Sequence, residues 1–160
     1  MDIFAIAFMP VTIPYELIKE IAGELDMGMK CFYHIPTGQI KNYPDELKGH
    51  AGFDDEFWQD IINEVDSARQ EYIAFEGMES YESFRLMENF VADIPDKEIR
   101  SRLEDALSFK SPFQNFKQLL NQYPELLRHW FQFKDQHLAE WVLAQLEVYN
   151  ASTEKKEDSD

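Results

Sequence analysis

The stretch that decides the fold class is residues 29–43, which read MKCFYHIPTGQIKNY. Apolar and polar residues alternate on either side of Pro36-Thr37-Gly38, and a period of two is typical of strands. The pattern predicts two strands, over residues 29–35 and 39–43, joined by a short loop. Gly38 suits that loop because glycine readily adopts a positive φ. These residues therefore predict an antiparallel hairpin.

Before and after the hairpin, the spacing of the apolar residues changes to the period of a helix. Apolar residues at three- and four-residue steps predict a first helix over residues 14–25. A second helix is predicted to begin near Asp54, a good N-cap, and to bury a stripe that runs from Phe57 to Ala68. Residues 71–75 predict a short third strand, and everything from Ser80 to residue 149 has a helical period.

The order of these elements predicts an α+β fold. A small antiparallel sheet of three or four strands is covered by helices and followed by a C-terminal helical subdomain. A chain of 160 residues fits one domain. We expect it over residues 1–149, with a sheet-containing part, 1–77, and a helical part, 78–149. Residues 150–160 are almost devoid of apolar side chains and predict a disordered acidic tail.

One helix start in the C-terminal half has a recognisable local pattern. Ser111 suits the cap position, and Pro112 suits the first helical position. Gln114 is placed to complete a capping box with Ser111. Tyr123 precedes Pro124, so it is predicted to end this short helix.

The net charge of −16 is unevenly distributed along the chain. Residues 1–94 hold 19 acids and 6 bases, whereas residues 95–160 hold 12 acids and 9 bases. Nucleic acid and anionic membranes are bound through Lys and Arg, so we expect neither as a partner. A solvated acidic surface is the simplest interpretation, and an acidic mimic of nucleic acid is an alternative.

Cys31 is the single cysteine, which excludes an internal disulfide and predicts a buried core thiol. No Cys/His spacing indicates zinc, and we expect no cofactor. Residues 1–9 are apolar but lack the basic start of an export signal, so they predict a strand, or an arm that packs on the domain or a partner. No stretch reaches the roughly 18 apolar residues that span a bilayer. Together these observations predict a cytoplasmic protein.

Three acidic residues, Glu56, Asp60 and Glu64, follow one another at four-residue steps. On a helix this spacing forms an acidic ridge, which a divalent cation would stabilise. One helix offers no clustered ligand loop, so the ridge is a weak candidate metal site and otherwise a solvated face.

Four further residues are candidates for binding. His137 and Glu140 lie one helical turn apart, close enough for the carboxylate to orient the imidazole. Arg85 and Lys117 are scarce bases within strongly acidic surroundings, and each is suited to an ion pair or to an anion or partner carboxylate. No pattern for a catalytic nucleophile or a phosphate-binding loop is present.

Several blocks of sequence resemble the uncharacterised protein family UPF0158, over roughly residues 13–146. The blocks are residues 84–90 (FRLMENF), 113–120 (FQNFKQLL) and 123–127 (YPELL), together with Thr37-Gly38, Trp130, Phe133 and Asp135. The resemblance implies a compact intracellular bacterial protein and brings no activity, cofactor or catalytic residue. The family usually has a segment like Gly-Lys-Gly-x-Phe-Arg-x-Phe-Lys, where this chain has Phe109 and Ser111 in place of the glycines and Gln114 in place of the arginine.

The function that follows most directly is a non-catalytic binding or regulatory module. The sequence offers no catalytic cluster, and its 13 Phe residues exceed what a small core hides, which predicts an apolar patch for a protein partner or a second copy. A metal-assisted hydrolase that uses the acidic ridge with His137 or Glu140 is the enzyme alternative. The nucleic-acid mimic is the third.

Overall fold

A three-stranded antiparallel sheet and six helices make up the described part of the chain, residues 9–45 and 55–158 of a computed structural model. The order along the chain is α1 (Tyr15–Asp26), β1 (Met29–His34), β2 (Ile40–Pro44), α2 (Asp55–Ser67), β3 (Tyr72–Phe75), α3 (Ser80–Ala92), α4 (Lys97–Ser108), α5 (Pro112–Leu120) and α6 (Pro124–Asp158). A single 3-10 turn, Arg69–Glu71, precedes β3. The predicted α+β fold is confirmed.

The described residues fall into two compact units. One extends to Gly77 and resumes at Leu138, and the other is Met78–His137. Helix α6 therefore contributes to both units. The single-domain organisation stays a prediction.

The sheet of the first unit has the strand order β2-β1-β3. Successive side chains of a strand point to opposite faces. Cys31 is buried on one face, where its Sγ lies 3.9 Å from Ile21 O of α1. Phe32 is buried on the other face, in a cluster with Val65 of α2 and Tyr72. Both faces of β1 are therefore covered, which is why its sequence is apolar on both sides.

The hairpin loop forms as its glycine predicts. Gly38 has a φ of +73°, and its N–H donates to His34 O at 2.7 Å. The Thr37 hydroxyl lies 2.7 Å from His34 Nδ1 and fixes the loop from within.

The second unit is built from α3, α4, α5 and the first part of α6. Aromatic rings meet at its centre, where Trp130 packs edge-on against Phe116 and Phe90, with ring centroids 5.0 and 5.3 Å apart. Leu103 and Leu120 are fully buried beside them. In the blocks that resemble UPF0158, the aromatic residues Phe90 and Phe116 are thus core residues.

The structure corrects the predicted cap at Ser111. This residue has a φ of 62° and a ψ of 55°, and its side chain makes no cap hydrogen bond. An N-cap normally has extended backbone, and the left-handed conformation turns the hydroxyl away from the first-turn N–H groups. The turn is held instead by Asn115, whose Nδ2 donates to Lys110 O at 2.9 Å. Pro112 does occupy the first helical position.

Residues 150–158 are helical, contrary to the predicted disorder from Asn150 onward. Composition suggests disorder because these residues bury little apolar surface, but Asn150 is bonded to the backbone of Val11, which stabilises this end of α6. The buried stripe of α2 is also shorter than predicted, since Phe57 is 60% exposed. The predictions for Asp54 and for residues 1–8 and 159–160 lie outside the described residues.

Candidate functional site

The outer edge of β3 carries backbone groups that no described residue binds. Ile35 N donates to Glu71 O at 2.9 Å, and the register then pairs Tyr33 with Ile73. Because hydrogen bonding alternates along an antiparallel pair, the N–H and C=O groups of Tyr72 and Ala74 point away from β1. The Tyr72 N–H donates to Arg69 O of the preceding 3-10 turn. Within residues 9–45 and 55–158 the other three groups, the Tyr72 C=O and the Ala74 N–H and C=O, have no hydrogen-bond partner.

At the next outward-facing position of the same edge, the backbone of Glu76 is hydrogen-bonded to a side chain of α6. Glu76 N donates to Gln145 Oε1 at 3.0 Å, and Gln145 Nε2 donates to Glu76 O at 3.0 Å. Trp141 Nε1 also donates to Glu76 O, at 2.8 Å. A carboxamide offers one acceptor and two donors, so it reproduces the bonds of a neighbouring strand. We call the two Gln145–Glu76 bonds the Gln145 clip.

A groove of about 510 Å³ runs between this edge and α6. Its lining residues are Tyr72, Ile73, Ala74 and Glu76 on the strand side, and Trp141, Ala144, Gln145, Val148 and Tyr149 on α6. Val148 is 66% exposed and gives the helix side of this edge groove an apolar surface. The edge groove thus combines unpaired backbone groups with an apolar wall.

The surroundings of the edge groove are acidic. Burial raises the pKa of Tyr72, and the carboxylates of Glu64 and Glu71 raise it further. Glu76 is exposed and takes part in no ion pair in the described part of the chain. None of the described residues that line the groove is Lys or Arg. Among the described residues that line the groove, the carboxylate of Glu76 is therefore the only formal charge.

A second groove, of about 630 Å³, lies further along α6 and is also bordered by Tyr149. Here Val11 N donates to Asn150 Oδ1 at 2.9 Å, and Asn150 Nδ2 donates to Val11 O at 3.0 Å. Glu147 and Glu154 are among its lining residues. Helix α6 therefore binds two backbone segments in the same way, each through one side-chain amide.

The opposite edge of the sheet, on β2, is different. His34 N donates to Gln39 O at 2.8 Å, so the outward positions of β2 are Ile40, Asn42 and Pro44. Proline has no N–H to offer a further strand, and Lys41 adds a charge. The β2 edge is protected against pairing by its own sequence.

Two predicted binding residues, Arg85 and Lys117, lie on exposed positions of α3 and α5. Neither has an ion-pair partner among the residues that the structure describes. The charge-balancing ion pair considered for Arg85 is absent from that part of the chain. No contact joins the two side chains, and their binding roles stay predictions.

The other predicted pair, His137 and Glu140, lies on α6. His137 stacks on Phe133, with ring centroids 4.2 Å apart, and its buried Nδ1 has no hydrogen-bond partner within the described residues. Glu140 therefore does not orient the imidazole through Nδ1. The binding roles of the two residues stay predictions.

The acidic ridge lies on α2. Glu64 forms an ion pair with Lys41 of β2, with the atoms 3.5 Å apart. In the described ranges no three residues of the types His, Cys, Asp and Glu are grouped in a way that could hold a metal. The ridge of Glu56, Asp60 and Glu64 thus remains only a weak prediction of a metal site.

Cys31 is a core residue, as its sequence predicts. It is fully buried, and burial raises its pKa to about 12, with a further contribution from Glu24 and Glu20. A thiol with such a pKa is protonated at neutral pH and is a poor nucleophile.

The comparisons with known proteins decide the family. A family model described as "Uncharacterised protein family (UPF0158)" matches residues 10–160. The chain belongs to UPF0158. The resemblance seen in the separate sequence blocks is therefore confirmed, and it extends over nearly the whole chain.

One curated relative of this UPF0158 chain is UPF0158 protein PA5073 of Pseudomonas aeruginosa. The two are 29% identical over 83 residues, which cover 52% of this chain and 54% of the relative. The match thus spans about half of each protein. No solved structure matches the chain. Within the described ranges, no helix has the length and hydropathy needed to cross a membrane.

Sequence reasoning missed the residues that form the edge groove of this UPF0158 protein. Neither Trp141 nor Gln145 has a distinctive sequence context. One signal was available: the third strand, YIAF, contains neither a charge nor a proline. A short strand of that composition in a three-stranded sheet is a candidate open edge.

Proposed function

We propose that this UPF0158 protein is a non-catalytic binding module that acts in the cytoplasm through protein–protein contacts. The contact surface in this proposal is the edge groove, where an extended segment of a partner adds to β3 as a further strand. Strand addition of this kind uses backbone hydrogen bonds for affinity and side-chain pockets for specificity.

The single observation that carries the proposal is the contrast between the two edges of the sheet. Unpaired edges promote aggregation, and proteins protect them with lysine, proline or a covering element. The β2 edge has Lys41 and Pro44, whereas β3 has neither, and both backbone groups of Ala74 and the C=O of Tyr72 have no partner in the described residues. An edge left open beside a groove is suited to a partner.

The Gln145 clip supports the same proposal. Gln145 forms with Glu76 the pair of hydrogen bonds that a neighbouring strand would form, so the geometry of this edge already accommodates such a partner. The edge from Tyr72 to Ala74 then offers three further bonds to an incoming segment, from the Tyr72 C=O and from the N–H and C=O of Ala74.

The energetics set the expected affinity. Each backbone hydrogen bond contributes a net of about 0.5–1.5 kcal/mol, so three contribute about 1.5–4.5 kcal/mol. Micromolar binding requires about 8 kcal/mol. The remainder must come from apolar contacts with Val148 and Trp141, and a short peptide without optimised side chains is expected to bind in the millimolar range.

The test uses the variant Ala74→Pro. Because the Ala74 N–H points away from β1, proline removes an outward donor without removing a bond of the sheet. Ala74→Thr is the matched control, since threonine keeps the N–H and favours strands. The probe is the blocked peptide Ac-Thr-Val-Thr-Val-Thr-amide, and its binding is followed by NMR at the backbone amides of residues 72–76.

In the free protein we expect the amide of Ala74 to exchange with solvent faster than those of Ile73 and Phe75, which face β1. The peptide should shift the resonance of the amide at position 74 and protect it from exchange in the wild type and in Ala74→Thr, and should leave the spectrum of Ala74→Pro unchanged. Slow exchange of the Ala74 amide in the free monomer would contradict the open edge. Peptide shifts that are unaffected by Ala74→Pro would contradict the proposed function.

A further inference from the structure

The occupant of the edge groove can be specified further from its charges, in an inference that rests on the proposed function. We infer that the segment that binds β3 is basic, with a Lys or Arg opposite Ala74 whose charge pairs with the Glu76 carboxylate.

The position opposite Ala74 has room for a long side chain. In an antiparallel pair, directly opposite residues place their side chains on the same face. Ala74 contributes only a methyl group and is itself exposed. A partner residue at this position therefore meets only the Ala74 methyl group directly opposite it, with Tyr72 on β3 and Glu76 just after β3 as its two diagonal neighbours.

Glu76 lies within reach of that side chain. It follows Ala74 by two positions, so it is the diagonal neighbour of the opposite residue, about 7–8 Å away between Cα atoms, a distance that long side chains span. The Gln145 clip and Trp141 hold its backbone in place. The Glu76 carboxylate has no ion-pair partner in the described ranges.

The wider electrostatics favour the same sign of charge. Glu71 lies at the other end of β3, Glu147 and Glu154 border the adjoining groove, and the whole chain has a net charge of −16. No Lys or Arg is found among the described residues that line either groove. An acidic segment would be repelled along its whole length, whereas a basic one is attracted from a distance.

The experiment compares two matched peptides, Ac-Thr-Val-Lys-Val-Thr-amide and Ac-Thr-Val-Glu-Val-Thr-amide. Their affinities are measured on the full-length protein, the wild type beside Ala74→Pro and Glu76→Gln. Glu76→Gln removes the charge and keeps the shape and the backbone bonds. Glu88→Gln is its matched control, because it changes the net charge equally at an exposed site of α3, in the other unit.

We expect the lysine peptide to bind the wild type at least about threefold more tightly than the glutamate peptide, and the difference to shrink at high salt because ions screen the charges. Glu76→Gln should lower the affinity for the lysine peptide by about two- to fivefold, the range for one exposed ion pair. Glu88→Gln should leave its affinity unchanged. Ala74→Pro should abolish binding of both peptides although the net charge is the same.

The outcomes separate the inference from the proposed function. If the two peptides bind equally well and Ala74→Pro abolishes the binding of both, the inference is overturned and strand addition remains intact. Equal losses in Glu76→Gln and Glu88→Gln would also overturn it, since attraction would then be to the whole chain. Binding of neither peptide would overturn both proposals. A wild-type dimer that Ala74→Pro converts to a monomer would identify a second copy as the occupant and would overturn the basic segment.

Discussion

At the scale of single residues, Ser111 has an unfavourable backbone conformation. It is the only non-glycine residue with a positive φ among those described. A residue with a Cβ in the left-handed region is disfavoured by about 1–2 kcal/mol. Glycine adopts a φ of 62° without this cost because it has no Cβ.

We predict that Ser111→Gly increases the free energy of unfolding by about 0.5–1 kcal/mol. The relief of strain exceeds the entropy that glycine gains in the unfolded chain. Urea denaturation measures the change. Ser101→Gly, at an exposed position inside α4, is the control and should destabilise by a similar amount, because it adds the entropy cost without relieving strain. A loss of stability in Ser111→Gly would contradict the strained turn.

Cys31 gives a prediction for the dependence of stability on pH. Its pKa is raised from 9.0 to about 12 in the native state, chiefly by burial. The protonated thiol therefore stabilises the native state fully below pH 9, and this contribution is lost as the pH rises towards 12.

We expect the free energy of unfolding of the wild type to decrease above pH 9 more steeply than that of Cys31→Ala. All other titrating groups are common to the two proteins, so the difference in slope isolates the thiol. Urea titrations over a series of alkaline buffers measure both slopes. Parallel curves would show that Cys31 titrates normally in the native state.

At the scale of elements, α6 stabilises two backbone segments through side-chain amides. The Gln145 clip holds the residue after β3, and Asn150 holds Val11 near the start of α1. Both contacts join extended backbone to a helix. In a larger sheet, the same backbone groups would have been hydrogen-bonded by another strand. The last turns of α6 are thereby linked to the rest of the first unit.

We predict that Gln145→Leu destabilises the protein by about 0.5–1.5 kcal/mol, because it removes the exposed hydrogen bonds to the Glu76 backbone. Hydrogen exchange at the Glu76 amide should become faster in the same variant, which connects the loss to this site. Gln132→Leu, on an exposed position of α6 with no hydrogen bond to another described residue, is the control and should change stability by less than about 0.5 kcal/mol. Unchanged exchange at Glu76 would contradict the clip.

At the scale of the whole molecule, the local elements could be predicted from the sequence because their signals are local. The hairpin around Gly38, the α+β order and Pro112 at a helix start follow from spacing over a few residues. The same locality explains the errors. Ser111 fits a cap by residue type, and only its φ shows otherwise.

The candidate site could not be predicted in this way. The Gln145 clip joins residues 69 positions apart, and the Asn150 contact joins residues 139 apart. No period along the chain reveals such pairs, since glutamine and asparagine on a helix usually face solvent. The open edge is also a property of the assembled sheet, because the outward direction of Tyr72 and Ala74 depends on the register with β1.

The Gln145 clip has a consequence for how far the sheet can grow. The clip occupies the outward backbone groups of Glu76, so an added strand can pair only at the outward-facing positions Tyr72 and Ala74. The register of the added strand along β3 is therefore fixed by the position of Gln145. A short peptide whose outer amides are N-methylated would fill those positions and present no donor to a following chain. Such a molecule would occupy the β3 edge and prevent further copies from adding as strands to form fibres.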